Sequence, residues 1–67
     1  MDIGATIKAV RKHAGLTQQQ LADKVYVSRC AVAYYETNRS QPSVDKFLDI
    51  LDACGCEFAV REKVNNG

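Results

Sequence analysis

The stretch Gly15-Leu16-Thr17-Gln18-Gln19-Gln20-Leu21-Ala22-Asp23-Lys24-Val25-Tyr26-Val27-Ser28-Arg29 decides the fold. Thr17 followed three residues later by Gln20 is a capping box. The threonine hydroxyl accepts from the Gln20 amide, and the Gln20 side chain reaches back to the threonine amide. Leu16 before the cap and Leu21 after it are placed as a hydrophobic staple. Leu21, Ala22 and Val25 then give one apolar face, and the helix ends at Lys24 or Val25. Ser28 is the next N-cap, opening a helix that runs to about Glu36 with Val32 and Tyr35 as its apolar stripe and Val27 leading in. Only Tyr26 and Val27 separate the two helices. So short a connection forces them to touch at a steep angle.

Working outward, Ile3, Ile7, Val10 and Ala14 recur at helical steps, which predicts a first helix over residues 3–14. Asp2 is its N-cap, and Gly15 can stop it in the left-handed region. Thr37-Asn38-Arg39-Ser40-Gln41-Pro42 is a polar loop. Pro42 forbids further helix, and Asn38 tolerates positive φ. Ser43 caps a fourth helix whose apolar positions are Val44, Phe47, Leu48, Leu51 and Cys54, ended by Gly55. In the tail, Cys56, Phe58 and Val60 alternate with Glu57, Ala59 and Arg61, the period of a short strand. The alternative is a short fifth helix that packs Phe58 on the core. The expected organisation is an all-α domain over residues 1–55, a strand or short helix over 56–62, and a disordered tail over 63–67. A lone strand has an open edge, so residues 56–62 are the candidate dimerisation element. The tight second-to-third connection is that of a helix-turn-helix.

Composition narrows the function. The chain has 67 residues, 46% of them hydrophobic and 25% charged, which suits one small globular domain with little room for a deep catalytic pocket. It has no apolar run that would span a membrane and no signal-peptide pattern, so the expected location is cytoplasmic. The net charge of +1 is uninformative, but its distribution is not. Residues 1–41 set Lys8, Arg11, Lys12, Lys24, Arg29 and Arg39 against Asp2, Asp23 and Glu36, a net +3. Residues 42–67 set Lys46, Arg61 and Lys63 against Asp45, Asp49, Asp52, Glu57 and Glu62, a net −2. The asymmetry suits a first half that faces an anion and a second that faces something else, the alternative being ordinary solvated charge. Cys30, Cys54 and Cys56 form no disulfide framework, and with His13 the sole histidine no zinc set is complete. No cofactor or metal is expected. No nucleophile–base pair or glycine-rich phosphate loop is present, so the chain does not read as an enzyme.

The stretch Arg11 through Pro42, with the capping box and Val27-Ser28-Arg29, resembles the phage-repressor-like DNA-binding domains of Xre, Cro and lambda-repressor type. The resemblance covers roughly residues 3–55. It implies a four- to five-helix lambda-repressor-like fold, with a short C-terminal strand in place of the fifth helix as the variant. It also implies a role for each matching residue. Gln18 opens the second helix where relatives grip a phosphate, and a helix N-terminus suits an anion. Ser28, Arg29, Cys30, Ala33 and Tyr34 match the outward face of the recognition helix. Arg29, Cys30, Ala33 and Tyr34 would meet bases, and Ser28 would join the phosphate contacts. A guanidinium can bond guanine O6 and N7 together, and small side chains can touch a thymine methyl. Asn38 and Arg39 match a loop that closes on the DNA backbone. Arg11 and Glu36 match a structural salt bridge. At Tyr26 this chain departs, because relatives commonly carry glycine there. Either the turn differs slightly, or the Tyr26 ring packs well enough to hold positive φ.

The function these features imply is sequence-specific binding of double-stranded DNA by a transcriptional repressor. It would act as a homodimer on a palindromic operator with half-sites about 34 Å apart. Two alternatives compete with it. One is an antitoxin-type regulator that also binds a protein toxin. The other is an interaction module that has lost DNA binding.

Overall fold

The computed structural model describes residues 1–59. Four helices follow one another: α1 (Ile3–His13), α2 (Gln18–Val25), α3 (Arg29–Glu36) and α4 (Val44–Ala53). Each begins at a side chain that accepts from an orphan amide of the first turn. Asp2 accepts from Ala5, Thr17 from Gln20, Ser28 from Ala31 and Ser43 from Lys46. The capping box of α2 is closed in both directions, with the Gln20 side chain accepting from the Thr17 amide at 2.8 Å. Gly15 and Gly55, at φ 73° and 72°, turn the chain away after α1 and α4.

Side chains from all four helices meet in one core. Ile7, Leu21, Ala22, Val32 and Ile50 are fully excluded from solvent, and Val25, Phe47, Leu51 and Cys54 nearly so. α2 packs on α3 and α4, and α1 packs on the same two helices. Burial holds the Cys54 thiol above its ordinary value.

The expected apolar stripe of α4 needs correction. Val44 and Leu48 are 75% and 42% exposed, while Ile50 faces the core at 0%. At 3.6 residues per turn, Phe47, Ile50, Leu51 and Cys54 share one face, and Leu48 lies about 100° round from Phe47. Val44 is the first residue of α4 and lies outside the core.

The tail also differs from the sequence reading. Residues 56–59 form neither helix nor strand. The Phe58 ring still meets Phe47 edge-on at 6.2 Å between centroids, from a segment that is not helical over residues 56–59. Residues 60–62 of the expected dimerisation element, and the expected disordered tail at 63–67, lie outside the described residues. Among the described residues the fold is all-α.

Tyr26 settles the question left open at the tight turn. It adopts φ 60° and ψ 44°, so the turn keeps its left-handed residue. Its side chain is 92% exposed, so ring packing does not stabilise that conformation. The surroundings hold it instead. The Tyr26 and Val27 amides both donate to Ala22 O, and Lys46 Nζ donates to Val25 O at 2.7 Å.

Candidate nucleic-acid interface

α3 owes its orientation to what lies beneath it. Val32 is fully buried and Tyr35 packs against the core, which turns the opposite side of the helix outward. Ser28, Arg29, Cys30 and Tyr34 are exposed on that side, and Ala33 is half-buried between them. Ser28 Oγ accepts from the Ala31 amide at 3.0 Å, which leaves its hydroxyl proton for an outside acceptor. Cys30 is a free, exposed thiol within the first turn.

One ionic network ties both ends of the two-helix unit together. Arg11 Nε donates to Glu36 Oε2 at 2.6 Å and Arg11 Nη2 to Glu36 Oε1 at 3.0 Å, a fork of two parallel bonds. The side chains are 10% and 3% exposed. Arg11 Nη1 donates to Leu16 O, so the guanidinium also fixes the turn between α1 and α2. The hydrogen bond to Glu36 pushes the Arg11 pKa up against the desolvation that opposes it. Gln18 Nε2 donates to the same Glu36 Oε1 at 3.2 Å. The first residue of α2 therefore stands beside the last residue of α3. The amides of Gln18 and Gln19, in the first turn of α2, have no intrahelical acceptor and suit an anion.

The loop after α3 is held just as closely. The Arg39 and Ser40 amides fold back onto Tyr34 O at 2.9 and 3.3 Å, and the Asn38 amide donates to Tyr35 O. Asn38 has φ 59°, as its residue type allows. Its side chain is engaged within the protein, with one Nδ2 proton left over. Oδ1 accepts from the Gly4 amide at 3.0 Å, and Nδ2 donates to Asp2 Oδ1 at 2.9 Å. The Ala5 amide first, and Asn38 second, hold the Asp2 carboxyl below its ordinary value. Arg39 lies with its guanidinium 5.5 Å from the centroid of the Tyr34 ring.

Sequence reasoning missed Gly4. A Cβ there would lie 2.6 Å from Tyr35 O and 2.7 Å from Glu36 O, so α1 crosses the end of α3 at backbone contact. Such a close approach leaves no periodic trace. The one available signal was a glycine inside the first turn of a predicted helix, where it costs stability unless packing requires it.

Among the described residues no three His, Cys, Asp or Glu side chains converge to hold a metal, and no helix is long and apolar enough to cross a membrane. What remains is an exposed helix face with an arginine at its start, an anion-ready helix end in Gln18, and a loop arginine.

The chain is similar to known proteins. Residues 7–60 match the helix-turn-helix family. The chain is 40% identical over 59 residues to the immunity repressor protein of Bacillus phage phi105, covering 88% of this chain and 41% of that protein. It is 41% identical over 49 residues to repressor protein C of Escherichia phage P2, covering 73% of this chain and 50% of that protein. It thus spans half the length of these curated relatives or less. Among solved structures, the DNA-binding domain of the P22 C2 repressor, determined by nuclear magnetic resonance in solution, superposes with a TM-score of 0.79. The two are 28% identical, over 85% of this chain and 75% of that one.

Proposed function

The chain belongs to the phage-repressor-like helix-turn-helix family, and from that membership we propose that it binds double-stranded DNA sequence-specifically and represses transcription. The observation that carries this reading is the outward face of α3, exposed from Ser28 onward and flanked by groups suited to phosphate. In this reading α3 enters the major groove by its N-terminal turns, as the second helix of such a unit does. Arg29 reads a guanine edge, and Cys30 and Ala33 lie against thymine methyls or other small base edges. Gln18, Ser28 and Arg39 hold phosphates, and Asn38 fixes the loop that carries Arg39. One domain makes few base contacts, so two copies act together on a palindromic site. The domain comprises residues 1–55, and the function is binding rather than catalysis.

A second reading adds a protein partner of antitoxin type. It draws support from α4, where Val44 and Leu48 are exposed beside Asp45 and Asp49.

The test separates base reading from phosphate contact. Arg29→Ala should weaken operator binding by about 1–3 kcal/mol and relax the preference at one base pair, with little change on random duplex. Equal losses on operator and random duplex would remove Arg29 as a base reader.

A further inference from the structure

Tyr34 sits in the last full turn of α3, where carbonyls lose their helical partners. Its carbonyl accepts from the Arg39 and Ser40 amides instead, which folds the loop back over the residue. That fold-back brings the Arg39 guanidinium to 5.5 Å from the ring centroid, within cation–π range. The ring is partly exposed, at 43% for the residue, and among the described residues no carboxylate forms a salt bridge with Arg39. The family resemblance would make Tyr34 a base-contacting residue. The geometry gives its aromatic face another occupant.

We propose that Tyr34 is a positioning residue for Arg39, holding its guanidinium ready for a DNA phosphate rather than reading a base itself. The physical reason lies in how each kind of partner uses a guanidinium. A carboxylate would take its N–H donors, which point outward in the plane of the group. A ring attracts the guanidinium without capturing its donors in ionic hydrogen bonds, so donors remain for phosphate oxygens. Arginine also loses rotamer freedom when it binds, and a side chain already held in place loses less. The Tyr34 carbonyl fixes the backbone of the loop, and the Tyr34 ring fixes the side chain that projects from it. This inference rests on the DNA-binding reading above, and deepens it by assigning the two residues to one phosphate contact.

Binding to a random-sequence duplex is the discriminating measurement, because base readers contribute little there and phosphate contacts contribute fully. The proteins needed are the wild type, Tyr34→Leu, Tyr34→Gln, Tyr34→Phe, Arg39→Ala and the Tyr34→Leu/Arg39→Ala double variant, each first shown to melt cooperatively. Tyr34→Leu and Tyr34→Gln should weaken random-duplex binding about two- to fivefold, the strength of an exposed cation–π pair read as an affinity ratio. Tyr34→Phe keeps the ring and should bind like the wild type. In the Arg39→Ala background, Tyr34→Leu should cause no further loss. In the free protein, ring-current shifts on the Arg39 methylene protons should be present in the wild type and Tyr34→Phe, and absent in Tyr34→Leu. Unchanged random-duplex affinity in Tyr34→Leu and Tyr34→Gln overturns the proposal, as does an equal loss with and without Arg39. A folded wild type that fails to bind any duplex at low salt overturns the DNA-binding reading and this inference with it. Normal wild-type binding with silent Tyr34 variants overturns this inference alone.

Discussion

At Glu36, a carboxylate whose side chain is 3% exposed accepts two bonds from Arg11 and one from Gln18. Truncating it leaves the Arg11 guanidinium, 10% exposed, without its counter-charge. The remaining bond to Leu16 O does not neutralise it. Glu36→Ala should therefore lose about 3–5 kcal/mol by urea unfolding, the range for one broken partner of a buried pair. That loss approaches the whole stability of many small domains, so a largely unfolded variant at 37 °C is an acceptable outcome. A loss under about 1 kcal/mol would mean that solvent screens the pair as it does an exposed one. The Arg11–Glu36 pairing was legible from the family pattern. Its extensions to Leu16 O and Gln18 were not, because they depend on how closely α1 and α2 dock rather than on any spacing.

The element that most tests local against tertiary forces is the turn between α2 and α3. Tyr26 adopts φ 60°, a conformation that costs a residue with a Cβ about 1–2 kcal/mol, and its ring returns little because it is 92% exposed. Tyr26→Gly removes the strain but gives the unfolded chain more freedom, an opposing effect of about 0.4–1 kcal/mol. The balance favours the variant by up to about 1.5 kcal/mol, a rise of a few degrees in Tm for a domain of this size. A lower Tm for Tyr26→Gly would show that the tyrosine contributes packing not visible at this turn. The sequence placed all four caps, because capping is a local contest between a side chain and nearby amides. It failed on the face of α4, where Leu48 and Val44 fit a helical period yet lie outside, and Ile50 was overlooked. Period alone does not say which side of a helix meets a neighbour. Residues 56–59 form neither helix nor strand in the single chain, and the rest of the expected strand or short helix, residues 60–62, lies outside the described residues. Alternation shows a period, and a strand also needs a partner edge, which for this tail would come from a second copy of the chain.

Across the whole molecule, the candidate DNA-facing side chains come from α2, α3 and the loop that follows, and the core behind them draws on all four helices. Most of the candidate site could be read from the sequence, because one capped helix placed two residues after another dictates which side chains face outward. The loop roles could not. Asn38 bonds Gly4 and Asp2, and the Arg39 guanidinium lies over the Tyr34 ring, through contacts made only once the chain has folded back. The most direct test of DNA recognition by this face is selection of bound sequences from a random duplex pool at physiological salt, with the mass of the free and bound protein recorded. The expected result is a palindromic consensus bound by two copies, its half-sites about one helical turn apart. A folded protein that recovers no consensus would contradict sequence-specific binding by α3 and leave its exposed face to a protein partner.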